Sequence, residues 1–209
     1  MIKLIVLDLD NTIYNENDYF EVVFNIFERD MSFENGQLFR AFLTIDRRNS
    51  KDILGDCLAL SHGNTARNKD LLFEYYVSMD YPLSLPDCSK SFFQLANENG
   101  IPVAVLTNGV PAVQRHKKKL LHLDEYIDNF FCAREIGKGE EKPSQKVFEY
   151  VLNYYGVDAS QAVMFGDDID KDCYAAQRVG MKAVHIEWHP GQTLPNLKSY
   201  FSEVMCANG

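Results

Sequence analysis

Long apolar runs are missing from this 209-residue chain; none approaches the roughly 20 residues that a membrane-spanning helix needs. An excess of positive charge is missing too. Lys and Arg number 21 against 30 Asp and Glu, so the formal net charge is −9 and the sequence pI is near 5.0. Such a chain has no general attraction for nucleic acid or for an anionic membrane. If its partner is an anion, local groups must supply the attraction. Paired cysteines are also absent. Cys57, Cys88, Cys132, Cys173 and Cys206 are scattered, odd in number and form no C-x-x-C pair. A disulfide framework is therefore not expected, and a reducing, cytoplasmic compartment is. Asp8 and Asp10 interrupt the first apolar run, which does not read as a secretory signal. No repeat or low-complexity segment stands out. Hydrophobic residues at 46% and charged residues at 24% are ordinary for a folded protein. The length suits one domain with an inserted module, or two small domains.

What is present is a pattern. Lys3 to Leu7 is a short run of branched apolar residues, expected as a strand buried on both faces. Residues 15–81 then read as helices. Asp18 is expected to cap the first, which carries Phe20, Val23, Phe24 and Phe27. Leu38, Phe42 and Ile45 mark a second, Ser50 is expected to cap a third, and Leu71, Leu72, Tyr75 and Tyr76 mark a fourth. From residue 82 strands and helices alternate. Strands are expected at Ile101–Leu106, Phe130–Ala133, Ala162–Phe165 and Lys182–Ile186. Helices are expected after Asp87, from Pro111 to Lys119, over Ser144–Tyr155, from Asp170 to Gly180 and over Leu197–Val204. The Lys117-Lys118-Lys119 run suits the negative end of its helix dipole. The fold class is thus α/β, a Rossmann-like doubly wound parallel sheet over residues 1–14 and 82–209, with a small helical bundle over 15–81.

In such sheets ligands bind beyond the carboxyl ends of the strands. Three polar groups follow strands here: Asp8 with Asp10, Thr107 with Asn108 and Gly109, and Asp167 with its acidic neighbours. Carboxylates pressed together repel one another, and a hard divalent cation relieves that conflict. Asp8 and Asp167 are the expected side-chain ligands of a magnesium ion, with the Asp10 carbonyl as a third and Asp172 as a further ligand or a support. A phosphate ester then suits the site. The Thr107 hydroxyl, the Asn108 and Gly109 amides and the Lys142 ammonium are candidate phosphoryl donors. Asp8 is the candidate nucleophile, and Asp10, when protonated, the acid that serves the leaving alkoxide.

Asp8-Leu9-Asp10-Asn11-Thr12, Thr107-Asn108-Gly109, Lys142-Pro143 and Gly166-Asp167-Asp168-Ile169-Asp170-Lys171-Asp172 resemble, in order, the four motifs of haloacid dehalogenase superfamily phosphatases. The resemblance covers nearly the whole chain. It implies a magnesium-dependent phosphatase with a helical cap inserted after the first strand, acting on a small phosphorylated metabolite through a phospho-aspartyl intermediate. Asp10 points away from the dehalogenases proper, which lack that carboxylate. Asn11-Thr12 points away from sugar-phosphate mutases, which usually carry Gly-Val there. A phosphonate hydrolase would need a cap lysine, and nothing marks Lys51 or Lys69. A phospho-accepting signalling domain is disfavoured by length and by Asp10.

Other positions carry open readings. Asp168 and Asp170 divide evenly between site support and loop or helix capping. Arg47, Arg48, Asn49 and Lys51 form a basic cluster that suits a solvated helix end or the far end of an anionic substrate. Tyr14 and Asn15 suit a hinge, and Trp188 and His189 follow the last strand. Cys173 reads as a packed helix residue, and the inserted aromatics as a core.

Overall fold

The computed structural model describes residues 1–47, 49–78, 80–137, 140–188 and 194–206; Arg48 and His189 lie outside them. Leu4–Leu7 forms β1, with all four residues buried. Four helices follow: α1 (Glu16–Met31), α2 (Gln37–Thr44), α3 (Ile53–Leu60) and α4 (Ala66–Ser78). Then come α5 (Asp87–Glu98), β2 (Val103–Thr107), α6 (Pro111–Leu120), β3 (Asn129–Cys132), α7 (Ala133–Ile136) and α8 (Gln145–Tyr155). The chain finishes with β4 (Ala162–Gly166), a π-helical turn at Ile169–Tyr174, α9 (Ala175–Arg178), β5 (Lys182–His185) and α10 (Leu197–Cys206). Two compact units result, Met1–Asn15 with Ser84–Gly209, and Glu16–Leu83.

The unit Glu16–Leu83 holds α1 to α4. The three-and-four spacing of Phe20, Val23, Phe24 and Phe27 puts one buried stripe on α1. Phe20 stacks on Phe42 with ring centroids 4.4 Å apart and on Tyr76 at 5.2 Å. The buried Glu28 carboxylate accepts from the Gly36 and Leu38 amides, both at 2.5 Å, and so satisfies the start of α2, whose own N-cap is a glycine. Two expected caps moved. Asp18 lies inside the first turn of α1, and α3 is capped by Asp52, which accepts from the Gly55 amide at 2.9 Å, instead of by Ser50. Arg47 pairs with Glu16 at 3.3 Å and lies over the Phe42 ring at 5.1 Å, so its charge serves this unit's own packing.

In the other unit, five parallel strands run in the order β3-β2-β1-β4-β5. β1 is central. Its Leu7 pairs with Val105 of β2 and with Phe165 of β4, which levels the carboxyl ends of the three strands. One face of the sheet packs Leu4, Val6, Ala104, Leu106 and Met164 against Val147, Phe148 and Val151 of α8 and Ala175 and Ala176 of α9. On α5, Phe92 meets Phe165 of β4 and Phe201 of α10 edge-on, at 5.5 and 5.7 Å between centroids. Helix starts and strand ends shift by a residue or two from expectation. Pro86, not Asp87, is the N-cap of α5, and β3 begins at Asn129 and yields Ala133 to α7. Asp168 caps the π-helical turn by accepting from the Asp170 and Lys171 amides, so this segment starts one residue before the expected helix. Cys57, Cys88, Cys132 and Cys173 are unbridged thiols. Among the described residues no helix is long and apolar enough to cross a membrane.

Gly166 ends β4 where Asp172 returns against it. A Cβ at this position would sit 2.3 Å from Asp172 Oδ2 and 2.5 Å from its Cβ, closer than atoms can approach. Gly166→Ala is therefore expected to lower stability by about 1–3 kcal/mol in a chemical-denaturation experiment; an unchanged midpoint would mean that Asp172 moves aside freely. Phe92→Ala, which empties the contact between α5, β4 and α10, is expected to cost about 3–5 kcal/mol in the same measurement.

Candidate active site

The strand ends assemble the site. Asp8 follows β1, and its amide donates to the Phe165 carbonyl of β4 at 2.9 Å, so the backbone is still ladder-bound where the side chain emerges. The next residues turn tightly. Asn11 adopts φ 59°, its amide donates to the Tyr14 carbonyl at 2.9 Å, and the Ile13 amide donates to the Leu9 carbonyl at 3.1 Å. Lys142 enters from the loop before α8. Its side chain is 2% exposed, and its Nζ lies 2.5 Å from Asp8 Oδ1 and 2.6 Å from Asp172 Oδ1. Asp8, Asp167 and Asp172 each present one carboxylate oxygen, and these oxygens all lie within 4.8 Å of one another. Together with Asp10, Thr107 and Lys142 they line a cavity of about 200 Å³. That volume fits a phosphoryl group and few further atoms.

Charge is unbalanced here. Burial raises the Asp8 carboxyl well above the usual range; Lys142 lowers it, and Asp172, Asp167 and Asp10 add to the rise. Burial alone would lower Lys142, but Asp172 and Asp8 outweigh it and push the ammonium up, so Lys142 stays charged. Asp10 goes the other way. Burial works to raise its carboxyl, yet the Lys117 charge and hydrogen bonds from Lys117, Tyr14 and Gln114 bring the net value down. Asp10 is therefore ionised at rest, and it must collect a proton before it can give one.

The donor set fits a hard cation. Asp8, Asp167 and Asp172 bring three buried or half-buried carboxylates together, Lys142 pairs with the first and the last, and the ligand atoms that all three offer are oxygens. Asp10 contributes no carboxylate to that group, because its two oxygens are bonded to Lys117, Tyr14 and Gln114. Only its carbonyl is left for an ion.

The remaining candidates are placed as follows. Thr107 is buried at the end of β2, and its Oγ1 accepts from Gln114 Nε2 at 2.7 Å. The Asn108 side chain clamps Lys142: its Nδ2 donates to the Lys142 carbonyl and its Oδ1 accepts from the Lys142 amide, both at 2.9 Å. The Gly109 amide, expected to face an anion, donates instead to Glu141 Oε1 at 3.0 Å. Glu141 is itself held by Arg134 at 2.8 Å. Asp172 belongs with the cluster, whereas the Asp168 carboxylate is occupied by its cap bonds and by Lys171 at 2.9 Å. Asp170 is exposed, and the packed Cys173 is buried. Tyr14 donates its hydroxyl to Asp10 Oδ1 at 2.5 Å.

Sequence reading missed Gln114, Lys117, Glu141 and His185. The last donates from Nε2 to the Asp167 carbonyl at 2.9 Å and fixes that loop. A signal for two of them existed. Gln114 and Lys117 share the buried face of α6 with Val113 and Leu120, and polar residues on such a stripe need a partner.

A family model for haloacid dehalogenase-like hydrolases matches residues 2–180. The chain is 26% identical over 204 residues to a glyceraldehyde 3-phosphate phosphatase of Methanocaldococcus jannaschii, covering 89% of this chain and 85% of that one. It is 28% identical over 204 residues to a ribulose-1,5-bisphosphate 5-phosphatase of Halopiger xanaduensis, covering 88% and 84%. Among solved structures it is similar to a putative hydrolase of the same family from Bacillus subtilis bound to magnesium, at TM-score 0.71 and 16% identity, covering 97% of this chain and 98% of that one. The match along most of the chain, on a parallel sheet with its acidic edge, shows that this chain belongs to the haloacid dehalogenase-like hydrolases.

Proposed function

We propose that the chain hydrolyses phosphomonoesters of small metabolites, with Asp8 as nucleophile. The observation that carries this reading is the meeting of Asp8, Asp167 and Asp172 within 4.8 Å, in one cavity with Lys142 and the second aspartate, Asp10. Asp10 weighs against a dehalogenase, since halide needs no proton to leave. Relatives named for glyceraldehyde 3-phosphate, ribulose 1,5-bisphosphate and phosphoserine support a small alkyl phosphate as substrate.

Asp8, Asp167 and Asp172, with the Asp10 carbonyl, would hold magnesium. Bound there, the ion supplies positive charge that reduces repulsion between the carboxylates and a phosphoryl dianion. Lys142 supplies a fixed ammonium beside Asp8, and the Asn108 clamp sets where that ammonium points. Thr107 offers its hydroxyl from the end of β2. An Asp8 oxygen attacks phosphorus, the ester bond breaks, and its electron pair leaves with the departing oxygen, which takes a proton from Asp10. Water then attacks the acyl phosphate and returns a proton to Asp10. Phosphate departs, and the Asp8 carboxylate is regenerated. The inserted helical unit, residues 15–81, is read as a cap, the part that distinguishes this substrate from others.

A panel of glyceraldehyde 3-phosphate, phosphoserine, ribulose 1,5-bisphosphate and 4-nitrophenyl phosphate, with and without magnesium, tests the reading. Magnesium-dependent phosphate release is expected, lost in Asp8→Asn and reduced about 10²–10⁴-fold in Asp10→Asn. Phosphate release that persists in Asp8→Asn, or halide release from a 2-haloacid without metal, would replace it.

A further inference from the structure

Helix α6 carries two polar side chains into the interior. Val113, Gln114, Lys117 and Leu120 form its buried face, and the Lys117 side chain is 1% exposed, whereas Lys119 faces solvent. A buried ammonium is costly unless it is paired, and replacing such a pair with apolar groups is often no worse for stability. Stability alone therefore leaves this arrangement without a reason.

The partners supply one. Lys117 Nζ lies 2.7 Å from Asp10 Oδ1, and the Tyr14 hydroxyl donates to the same oxygen at 2.5 Å. Gln114 Nε2 donates to Asp10 Oδ2 at 2.8 Å and to Thr107 Oγ1 at 2.7 Å. Both oxygens of one carboxylate are thus fixed from one helix and one loop. A carboxylate that only balanced charge would need no such constraint. One that must meet a leaving oxygen and then a water, each at a set angle, does.

We propose that Lys117 and Gln114 are positioning residues for Asp10, holding its carboxyl in the orientation that serves both proton transfers, while Gln114 sets the Thr107 hydroxyl at the same time. This inference rests on the reading of Asp10 as acid and base. Its consequence depends on the leaving group. An alkoxide must receive the Asp10 proton as the ester bond breaks, and a 4-nitrophenolate leaves without it. Hydrolysis of the acyl phosphate needs Asp10 with either substrate.

The test compares wild type, Lys117→Met, Gln114→Leu, Lys119→Met and Asp10→Asn, all with magnesium. The substrates are 4-nitrophenyl phosphate and glyceraldehyde 3-phosphate, or the fastest alkyl phosphate of the panel above. Lys117→Met and Gln114→Leu are expected to lower kcat on the alkyl phosphate about 10²-fold with little change in KM. On 4-nitrophenyl phosphate they are expected to keep a fast first turnover and then stall, with phosphoenzyme visible after acid quench. Lys119→Met is expected to match wild type, and Lys117→Arg to recover part of the loss. An equal loss on both substrates, first turnover included, would assign α6 a merely structural role and overturn the proposal. If Lys117→Met does not fold by circular dichroism, Gln114→Leu carries the same comparison. Asp10→Asn separates the two levels. Full turnover of the alkyl phosphate in that variant sinks the acid/base reading itself, whereas a slow Asp10→Asn beside normal Lys117→Met and Gln114→Leu sinks only the positioning role.

Discussion

Four carboxylates, from Asp8, Asp10, Asp167 and Asp172, converge at the carboxyl edge of the sheet, and two buried ammonium groups answer them. The rest of the site follows from that imbalance. Lys142 pairs with both Asp8 and Asp172. Lys117 is spent on Asp10. Negative charge is thus concentrated along the cavity, where a bound cation would relieve it. In a chain of net charge −9 any attraction for an anion must come from such local groups, because the overall charge repels it.

The two ammonium groups divide the aspartates into different chemical species. Asp8 and Asp172 share Lys142 at the centre of the cluster, whereas Asp10 is turned toward α6 and held ionised by Lys117, Tyr14 and Gln114. Two carboxylates only two residues apart are thereby given separate environments, one raised and one lowered from the usual carboxyl range. Asn108 adds a further constraint: by bonding both the amide and the carbonyl of Lys142, it ties the end of β2 to the loop before α8.

Much of this was legible in the residues. The apolar runs at Lys3–Leu7, Ile101–Leu106 and Ala162–Phe165 gave away strands, which the fold places at Leu4–Leu7, Val103–Thr107 and Ala162–Gly166, and the polar residues at their ends marked one edge. The spacing of Asp8, Lys142, Asp167 and Asp172 named side chains that the fold does bring together. What was hidden depended on three-dimensional partners. The basic run at 117–119 reads as a surface feature until the helix phase is counted, and only the fold reveals that its first member meets Asp10. Glu141 occupies the Gly109 amide from a position 32 residues away, a pairing that no local pattern encodes. Caps also slipped, because Asp52, Asp168 and the distant Glu28 carry out work that nearer residues seemed suited to.

The ion pairs of the site join distant parts of the polypeptide: Asp8 and Lys142 are 134 residues apart, and Asp10 and Lys117 are 107 apart. Among the strands of the sheet the central one is made before the others, and the strand that completes the acidic edge is made much later. A partly synthesised chain thus holds Asp8 without the Lys142, Asp167 and Asp172 side chains that gather around it in the folded protein. The acidic edge is therefore assembled only when β4 and the residues that follow it have joined the sheet.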